Sequence, residues 1–457
     1  MARGGGTGAA AAGLALAALL AGCGGGGGTV AADAGAPALT DEEGRVVVYR
    51  GVNFSGAAKT AAGDTAALAE ADLDRLQAWG VTLVRYLVFW AAIEPTAGAR
   101  DEDYLARVEA QVRRLTARGI DVFLDLHQDL FGVGFGADGA PRFACPEERY
   151  AAYVPKTPWF LNYASAEVSG CFDWLFGHEE LWDAYRDAAV ALAARLADEP
   201  RVVGFDVMNE PYFGSAAPAE FEPGRLLPFY QRVGEGLRAA APGRRLFLEP
   251  SLAHTMGFAT ALPPLPADAV YAPHYYPTAN ETGDYTGDRA AIARDLDAMG
   301  DEAARLGAPW LLGEAGIIND RPHGADYLRD LLDALDARFG SVTLWDYGPA
   351  GAGSWALVDE TGAPHAVADA VVRPYGHRIA GRPVAMSYDA TSGAFELSWA
   401  ERGVRAPTVI VLPPARYPQP QVTLGDPRDT FAHDPAAGRL TVSGDPGVAV
   451  HAVRVTP

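Results

Sequence analysis

Eight short apolar runs recur between Val46 and Gly348: VVVYRGVN, VTLVRYLVFW, DVFLDLHQD, VVGFDVMNE, RLFLEP, AVYAPHYY, PWLLGEAG and SVTLWDYG. Each is rich in Val, Leu, Phe or Tyr and has the length of a buried strand. Longer amphipathic stretches separate several of them, such as LAEADLDRLQAWG, YLARVEAQVRRLTARG and LWDAYRDAAVALAARLADE. In the second of these, Leu105, Val108, Val112 and Leu115 fall on one face at helical spacing. Gly80 and Gly119 stand where a helix C-terminus needs a left-handed residue. Strand–helix alternation of this kind, eight units over about 330 residues, predicts a (β/α)8 TIM barrel. An open, doubly wound sheet is the rival, and it gathers its chemistry at one crevice. Here polar residues close most of the runs, at Asn53, Arg85, His127, Asp129, Asn209, Glu210, His274, Tyr276, Glu314 and Trp345. Chemistry spread around a ring of strand ends is the barrel pattern.

After Arg373 the period shortens to two. PVAMSYDA, AFELSWAE, TVIVLPP, QVTLGD, RLTVSG and VAVHAVRV alternate apolar and polar residues between turn residues, as antiparallel strands do. The expected organisation is a catalytic barrel over 41–376 and a C-terminal antiparallel β-sandwich over 377–457. The N-terminus has a different character. Arg3 precedes the apolar run AAGLALAALLAGC, which is too short for an ordinary membrane helix and ends on Leu20-Ala21-Gly22-Cys23. That ending resembles a bacterial lipobox, in which the cysteine is acylated; a plain secretory signal with a chance cysteine is the alternative. Residues 1–23 are thus expected to be a lipoprotein-type signal and 24–40 a Gly/Ala-rich tether. The expected location is the cell surface, with the lipid anchor at the outer face of the cytoplasmic membrane, or the medium.

Charge and cysteine content narrow the partners. The formal net charge is −21, which repels phosphate backbones and excludes a nucleic-acid partner. Besides Cys23 there are only Cys145 and Cys171, both in one turn-rich segment. In an exported protein such a pair is expected to form a disulfide, since two thiols without His or Cys neighbours under-coordinate zinc. No Gly-rich phosphate loop and no metal-ligand cluster stands out, so no cofactor and no metal are expected. The chain is expected to act as a monomer.

Glu210 closes the fourth run, in NEP, and Glu314 the seventh, in GEAG. On a barrel both carboxylates emerge on one face. There a protonated carboxyl can feed the leaving oxygen of a glycosidic bond while an ionised one attacks the anomeric carbon. Alone, either glutamate reads as a structural carboxylate, paired for instance with Arg85; together, in these contexts, they read as chemistry. The set of motifs resembles glycoside hydrolase family 5 from about Val46 to Tyr375. The resemblance implies Glu210 as acid/base and Glu314 as nucleophile of a retaining double displacement. It implies substrate or carboxylate contacts for Arg85 in LVRYLVFW, His127 in DLHQD, Asn209, and His274 and Tyr276 in PHYYP. It also implies a sugar platform at Trp345 in LWDYG. Taken singly, His127 and His274 also read as packing histidines.

A narrower likeness lies in RGVNFSGAAKT, DLHQDLFG, MNEPYFG and PPARYP, which resemble endoglycosylceramidases. Those enzymes cut between the glycan and the ceramide of glycosphingolipids. The resemblance implies that Lys59 and Asp129, with His127, grip the first sugar; Lys59 also reads as a solvated lysine. The segment 130–177 departs most from that family. It is rich in large apolar groups: Phe131, Phe135, Phe143, Trp159, Phe160, Phe172, Trp174, Leu175 and Phe176. Exposed together these groups form a lipid-binding patch; buried together they form a local core. Trp159 reads equally as a lining residue of the aglycone side and as a packing residue. Two other functions stay open: another family 5 glycosidase acting on glucan, mannan or sterol and lipid glucosides, and a carbohydrate-binding surface lipoprotein without catalysis.

Overall fold

The computed structural model describes residues 36–59, 65–277 and 284–457. The lipobox cysteine Cys23 and the tether up to position 35 lie outside the described residues. All eight apolar runs contribute to one parallel barrel. Its strands are β2 (Arg50–Phe54), β3 (Leu83–Val88), β4 (Asp121–Leu126), β5 (Val202–Asp206), β6 (Arg245–Leu248), β7 (Ala269–Tyr271), β9 (Leu311–Leu312) and β11 (Ser341–Leu344). They form a sheet in the order β7-β6-β5-β4-β3-β2-β11-β9. A parallel bridge between Tyr271 and Trp310 joins the two edges. Beyond it, short β8 (His274–Tyr275) continues β7 and pairs in parallel with β10 (Glu314–Ala315), which continues β9. The sixth and seventh runs are therefore interrupted strands, broken at Ala272-Pro273 and at Gly313.

The lower barrel is apolar. Leu83, Phe123, Phe247, Val270 and Leu311 pack across it, with the Phe123 and Phe247 rings stacked at 4.2 Å. Leu39, Val47 and Tyr49 close the floor. Helices Glu70–Trp79, Glu102–Ala117 and Glu179–Arg195 lie where the amphipathic stretches predict them.

The first run behaves differently from a single strand. Val46–Val47 form β1, which leaves the barrel and pairs antiparallel with β12 (Tyr375–Ile379). The C-terminal part is a two-sheet antiparallel sandwich. One sheet has the order β1-β12-β15-β18-β17, with β15 Thr408–Val411, β17 Thr430–Asp434 and β18 Arg439–Ser443; the other has the order β13-β14-β19-β16, with β13 Arg382–Asp389, β14 Ala394–Ala400, β16 Gln421–Leu424 and β19 Val450–Thr456. Strands β1, β12 and β17 add to the six alternating runs. β12 carries Gly376 and His377 in its middle, and β17 is an exposed edge strand, so neither shows a clean apolar alternation.

The sandwich docks under the barrel. The Tyr375 hydroxyl donates to the Gly80 carbonyl at 2.8 Å. Gly80 has φ +80°, and a Cβ there would lie 2.5 Å from the Val411 side chain. It serves at once as left-handed helix cap and as contact surface. Cys145 and Cys171 are bonded as a disulfide and pin the segment 142–177. Among the described residues no helix is long and apolar enough to cross a membrane.

Candidate active site

The upper barrel is polar, and Arg85 is its centre. This side chain on β3 is fully buried. Its guanidinium donates to Glu314 Oε1 at 2.7 Å, Asn209 Oδ1 at 2.8 Å, Asn53 Oδ1 at 3.0 Å, Asp206 Oδ2 at 3.0 Å and Glu249 Oε1 at 3.0 Å. Asp125 lies 3.0 Å away as well. A guanidinium presents a fixed planar fork of donors, so it can set the orientation of several acceptors at once. Buried carboxylates crowd so closely that one gives way: burial first, then Glu249, push Asp206 well above the ordinary carboxylate range.

Glu314 is held from two sides, by Arg85 on Oε1 and by the Tyr276 hydroxyl, which donates to Oε2 at 2.8 Å. The two contacts fix the orientation of its carboxyl group. Glu210 is treated differently. Burial is the largest influence and raises its pKa, and the neighbouring Glu314 and Glu249 raise it further against the pull of His274. Its Oε1 lies 2.9 Å from His274 Nδ1. One oxygen each of Glu210 and Glu314 and one His274 nitrogen all lie within 4.8 Å of one another. Glu210, its pKa raised, thus faces Glu314 at close range, as the paired carboxyls of double displacement do.

His274 itself sits among carboxylates, with Nε2 at 3.1 Å from Glu249 and Nδ1 at 3.6 Å from Glu314. Burial opposes its charge, but Glu249, Glu314 and Glu210 together raise its pKa well above 6.5. The grouping Glu210, His274 and Glu314 also has the spacing of a metal site.

Lys59 belongs to this site. The turn Gly56–Lys59 after β2 folds it back over the strand ends, where it pairs with Asp129 and lies 3.8 Å from Asp138. Its ammonium also sits 4.7 Å above the Trp345 ring. His127 completes the group, with Nδ1 at 2.7 Å from Asp125 and Nε2 at 3.1 Å from Lys59 Nζ. Asp129 and Asp138 keep the ammonium charged, and although burial and Lys59 oppose a charge on the ring, Asp125 and Asp129 raise the His127 pKa from 6.5 to about 9. The Trp345 indole lies parallel to the His127 ring at 5.6 Å. Asn209, Lys59, Arg85, His127, Asp129, His274, Tyr276 and Trp345 thus all border one cleft with Glu210 and Glu314.

The aromatic segment divides between the two expected forms. Phe131, Phe135, Phe172, Leu175 and Phe176 are buried, while Trp159, Phe160 and Trp174 are exposed. The buried set reaches the catalytic strand through Tyr212, which follows Glu210-Pro211. Tyr212 packs on Tyr163 at 5.1 Å and on Phe172 at 5.5 Å. Trp159 stands above Tyr163 at 6.2 Å, and its neighbours Val154, Phe160 and Leu161 are exposed with it. An apolar rim therefore lies on the Glu210 side of the cleft.

Several site residues had escaped the sequence reading: Asp125, Gln128, Asp138, Asp206 and Glu249. Glu249 carried a readable signal, because RLFLEP ends an apolar strand on Glu-Pro just as Asn209-Glu210-Pro211 does. Asp125 and Asp206 sit inside their strands, where only the barrel interior makes them neighbours.

Comparison with known proteins agrees with this geometry. Residues 40–351 match the family described as cellulase (glycosyl hydrolase family 5), and residues 373–455 match the glycoside hydrolase family 5 C-terminal domain. Endoglycoceramidase I of Rhodococcus hoagii (strain 103S) is 30% identical over 404 residues, 83% of this chain and 79% of that protein. The structure of endo-glycoceramidase II from Rhodococcus sp. in complex with ganglioside GM3 superimposes with a TM-score of 0.83 at 28% identity, covering 92% of this chain and 99% of that one. Its lactosyl-enzyme intermediate superimposes with a TM-score of 0.81 at 29% identity and the same coverage. With a matching barrel, a matching C-terminal domain and paired carboxylates at the fourth and seventh strand ends, this chain belongs to glycosyl hydrolase family 5.

Proposed function

We propose that this protein is a retaining endoglycosylceramidase, hydrolysing the β-linkage between the glycan and the ceramide of glycosphingolipids. The observation that carries the reading is the placement of the apolar rim on the side of Glu210. The acid protonates the leaving oxygen, so the aglycone leaves on its side, and there the exposed Trp159, Phe160 and Leu161, beside the buried Tyr163 and Tyr212, offer a surface for a lipid. Each methylene removed from water there contributes about 0.8 kcal/mol, so a few carbons of chain separate lipid from sugar aglycones. The ganglioside complex and the lactosyl intermediate of the related Rhodococcus enzyme support both the substrate class and the covalent route.

In this reading Glu210 delivers its proton to the glycosidic oxygen as the bond to the anomeric carbon breaks. Glu314 attacks that carbon from the opposite face to form a glycosyl ester. Water, deprotonated by Glu210, then releases the sugar with retained configuration. Asn209 presents its amide to the sugar 2-hydroxyl. Lys59, His127 and Asp129 hold the glycone, and Trp345 lies beneath its ring. Product analysis on GM3, glucosylceramide and a soluble β-glucan tests the assignment, with a Glu314→Gln variant as control. Wild type is expected to release intact oligosaccharide and free ceramide from the ganglioside, and the variant neither. Rapid glucan cleavage with no action on either glycolipid would replace this reading with that of a plain glucanase.

The same reading places a monomeric enzyme at the cell surface, tethered through acylated Cys23, where it meets amphiphiles held in a membrane. The lipobox-like end of the N-terminal apolar run supports the anchor. Cys23→Ala is expected to release the protein or block its maturation in fractionated cells; unchanged membrane retention would remove the anchor from the proposal.

A further inference from the structure

Glu210 stands in a backbone conformation that its side chain does not favour. Its φ is +39°, in the left-handed region where non-glycine residues are uncommon. Glycine would relieve the strain but would abolish the chemistry, so the position needs both a glutamate side chain and an imposed backbone. Two buried side chains touch that backbone from different loops. The Gln128 amide nitrogen, from the segment after β4, donates to the Asn209 carbonyl and to the Glu210 carbonyl, each at 3.0 Å. The Gln128 amide oxygen accepts from the Phe131 N–H at 3.0 Å, and its main-chain carbonyl accepts from the Asn209 side chain at 3.0 Å. At the end of β6, Glu249 Oε2 accepts the Glu210 N–H at 2.8 Å. The other oxygen, Oε1, is held by Arg85 at 3.0 Å and faces His274 Nε2 at 3.1 Å.

We infer that Gln128 and Glu249 are positioning residues that clamp Glu210 in its left-handed conformation and so aim its carboxyl at the leaving oxygen. Both are almost wholly buried, and the hydrogen bonds they make with Glu210 are to its main chain. Gln128 satisfies two carbonyls of the bend with one rigid amide. Glu249 satisfies the N–H of the same residue and, through Oε1, ties that bend to His274, which in turn meets Glu210 Oε1 at 2.9 Å. Without the clamp the Glu210 backbone relaxes toward its preferred region, and the carboxyl turns away while Glu314 keeps its own supports, Arg85 and Tyr276. The loss then falls on proton delivery, from Glu210 to the oxygen of the breaking bond, rather than on nucleophilic attack. Strain held by surrounding hydrogen bonds at a reacting group is a recognised means of preorganisation.

The inference rests on the glycosidase reading above, and a pair of substrates separates the two. Dinitrophenyl β-lactoside expels a phenolate that needs no proton; octyl β-lactoside expels an alkoxide that does. Gln128→Met and Glu249→Met, which remove the contacts to the Glu210 main chain from opposite sides, are each expected to lower kcat/KM for the octyl substrate by about 100-fold. For the dinitrophenyl substrate the same variants are expected to lose no more than about fivefold in kcat/KM, because general-acid assistance is not needed there. Azide should then speed their turnover of the dinitrophenyl substrate and yield a lactosyl azide of retained configuration. Equal losses on both substrates, in either variant that folds, would overturn the positioning role and leave the glycosidase reading intact. A wild type inactive on both lactosides would overturn that reading and this inference with it.

Discussion

At the scale of single residues, the site works by giving like groups unlike surroundings. Glu210 and Glu314 are the same side chain. One is buried against other carboxylates, which with burial raise its pKa; the other is held by a guanidinium and a phenol. Asp129 and Asp138 divide in the same way around Lys59. Burial first, and then Lys59 and His127 in the opposite sense, act on Asp129, whose pKa ends far below the usual range. Asp138 is pushed up from 3.8 to about 6 by burial, against the pull of Lys59, with Asp129 adding to the rise. A folded-state pKa above the unfolded one stabilises the fold fully below pH 3.8, and that contribution is lost as pH rises through about 6. Asparagine stays neutral throughout. Asp138→Asn is therefore expected to gain on wild type by up to about 3 kcal/mol between pH 4 and pH 7. Melting temperatures of both proteins across that range check it, and a difference independent of pH would contradict it.

At the scale of elements, the segment 130–177 is the least regular part of the barrel and the part that distinguishes its cleft. It is built from short turns and helices, Glu147–Ala152 and Ala166–Gly177 among them, stapled by the disulfide. Closing a loop of 26 residues restricts the unfolded chain by about 3 to 4 kcal/mol. Replacing both Cys145 and Cys171 by alanine is expected to cost stability of that order in denaturant titrations. It should also speed proteolysis between Tyr153 and Leu161, where Val154, Trp159 and Phe160 are exposed. Cleavage unchanged in rate and place would show that aromatic packing on Tyr212 alone holds the segment.

At the scale of the whole molecule, barrel and sandwich share buried charge. Asp336, at the end of helix Gly324–Asp336, meets Arg50 of β2 at 2.5 Å and Arg373, just ahead of β12, at 2.6 Å. All three are at most 5% exposed. Removing the carboxylate leaves Arg50 hydrogen-bonded, among the described residues, only to the Tyr49 and Gly340 carbonyls and Arg373 only to Asp333; breaking a buried ion pair typically costs about 3–5 kcal/mol. Asp336→Ala is expected to lower the melting temperature of the whole chain in a single transition, because the seam joins both parts. Separate melting of barrel and sandwich, with the barrel unshifted, would show that the seam is not shared.

Local pattern determined much of this protein. Eight apolar runs with polar ends and helical spacing between them dictate an alternating barrel, since strand and helix periods are written in neighbouring residues. Glu210 and Glu314 were legible because an apolar strand seldom ends on a carboxylate without a task, and the same reasoning reaches Glu249. What pattern does not carry is which distant groups become neighbours. The break of the first run into β1 and β2 depends on β12, far along the chain. Asp125 and Asp206 look like stray polar residues in buried strands until the barrel closes around Arg85. Lys59 enters the site only because the turn after β2 folds back over the strand ends. The aromatic segment became both core and rim, because burial depends on what packs from the other side. Hydrophobic period is a property of adjacent residues; charge pairing, proton sharing and the clamp on Glu210 are properties of separate strands brought together, and only the tertiary structure brings them together.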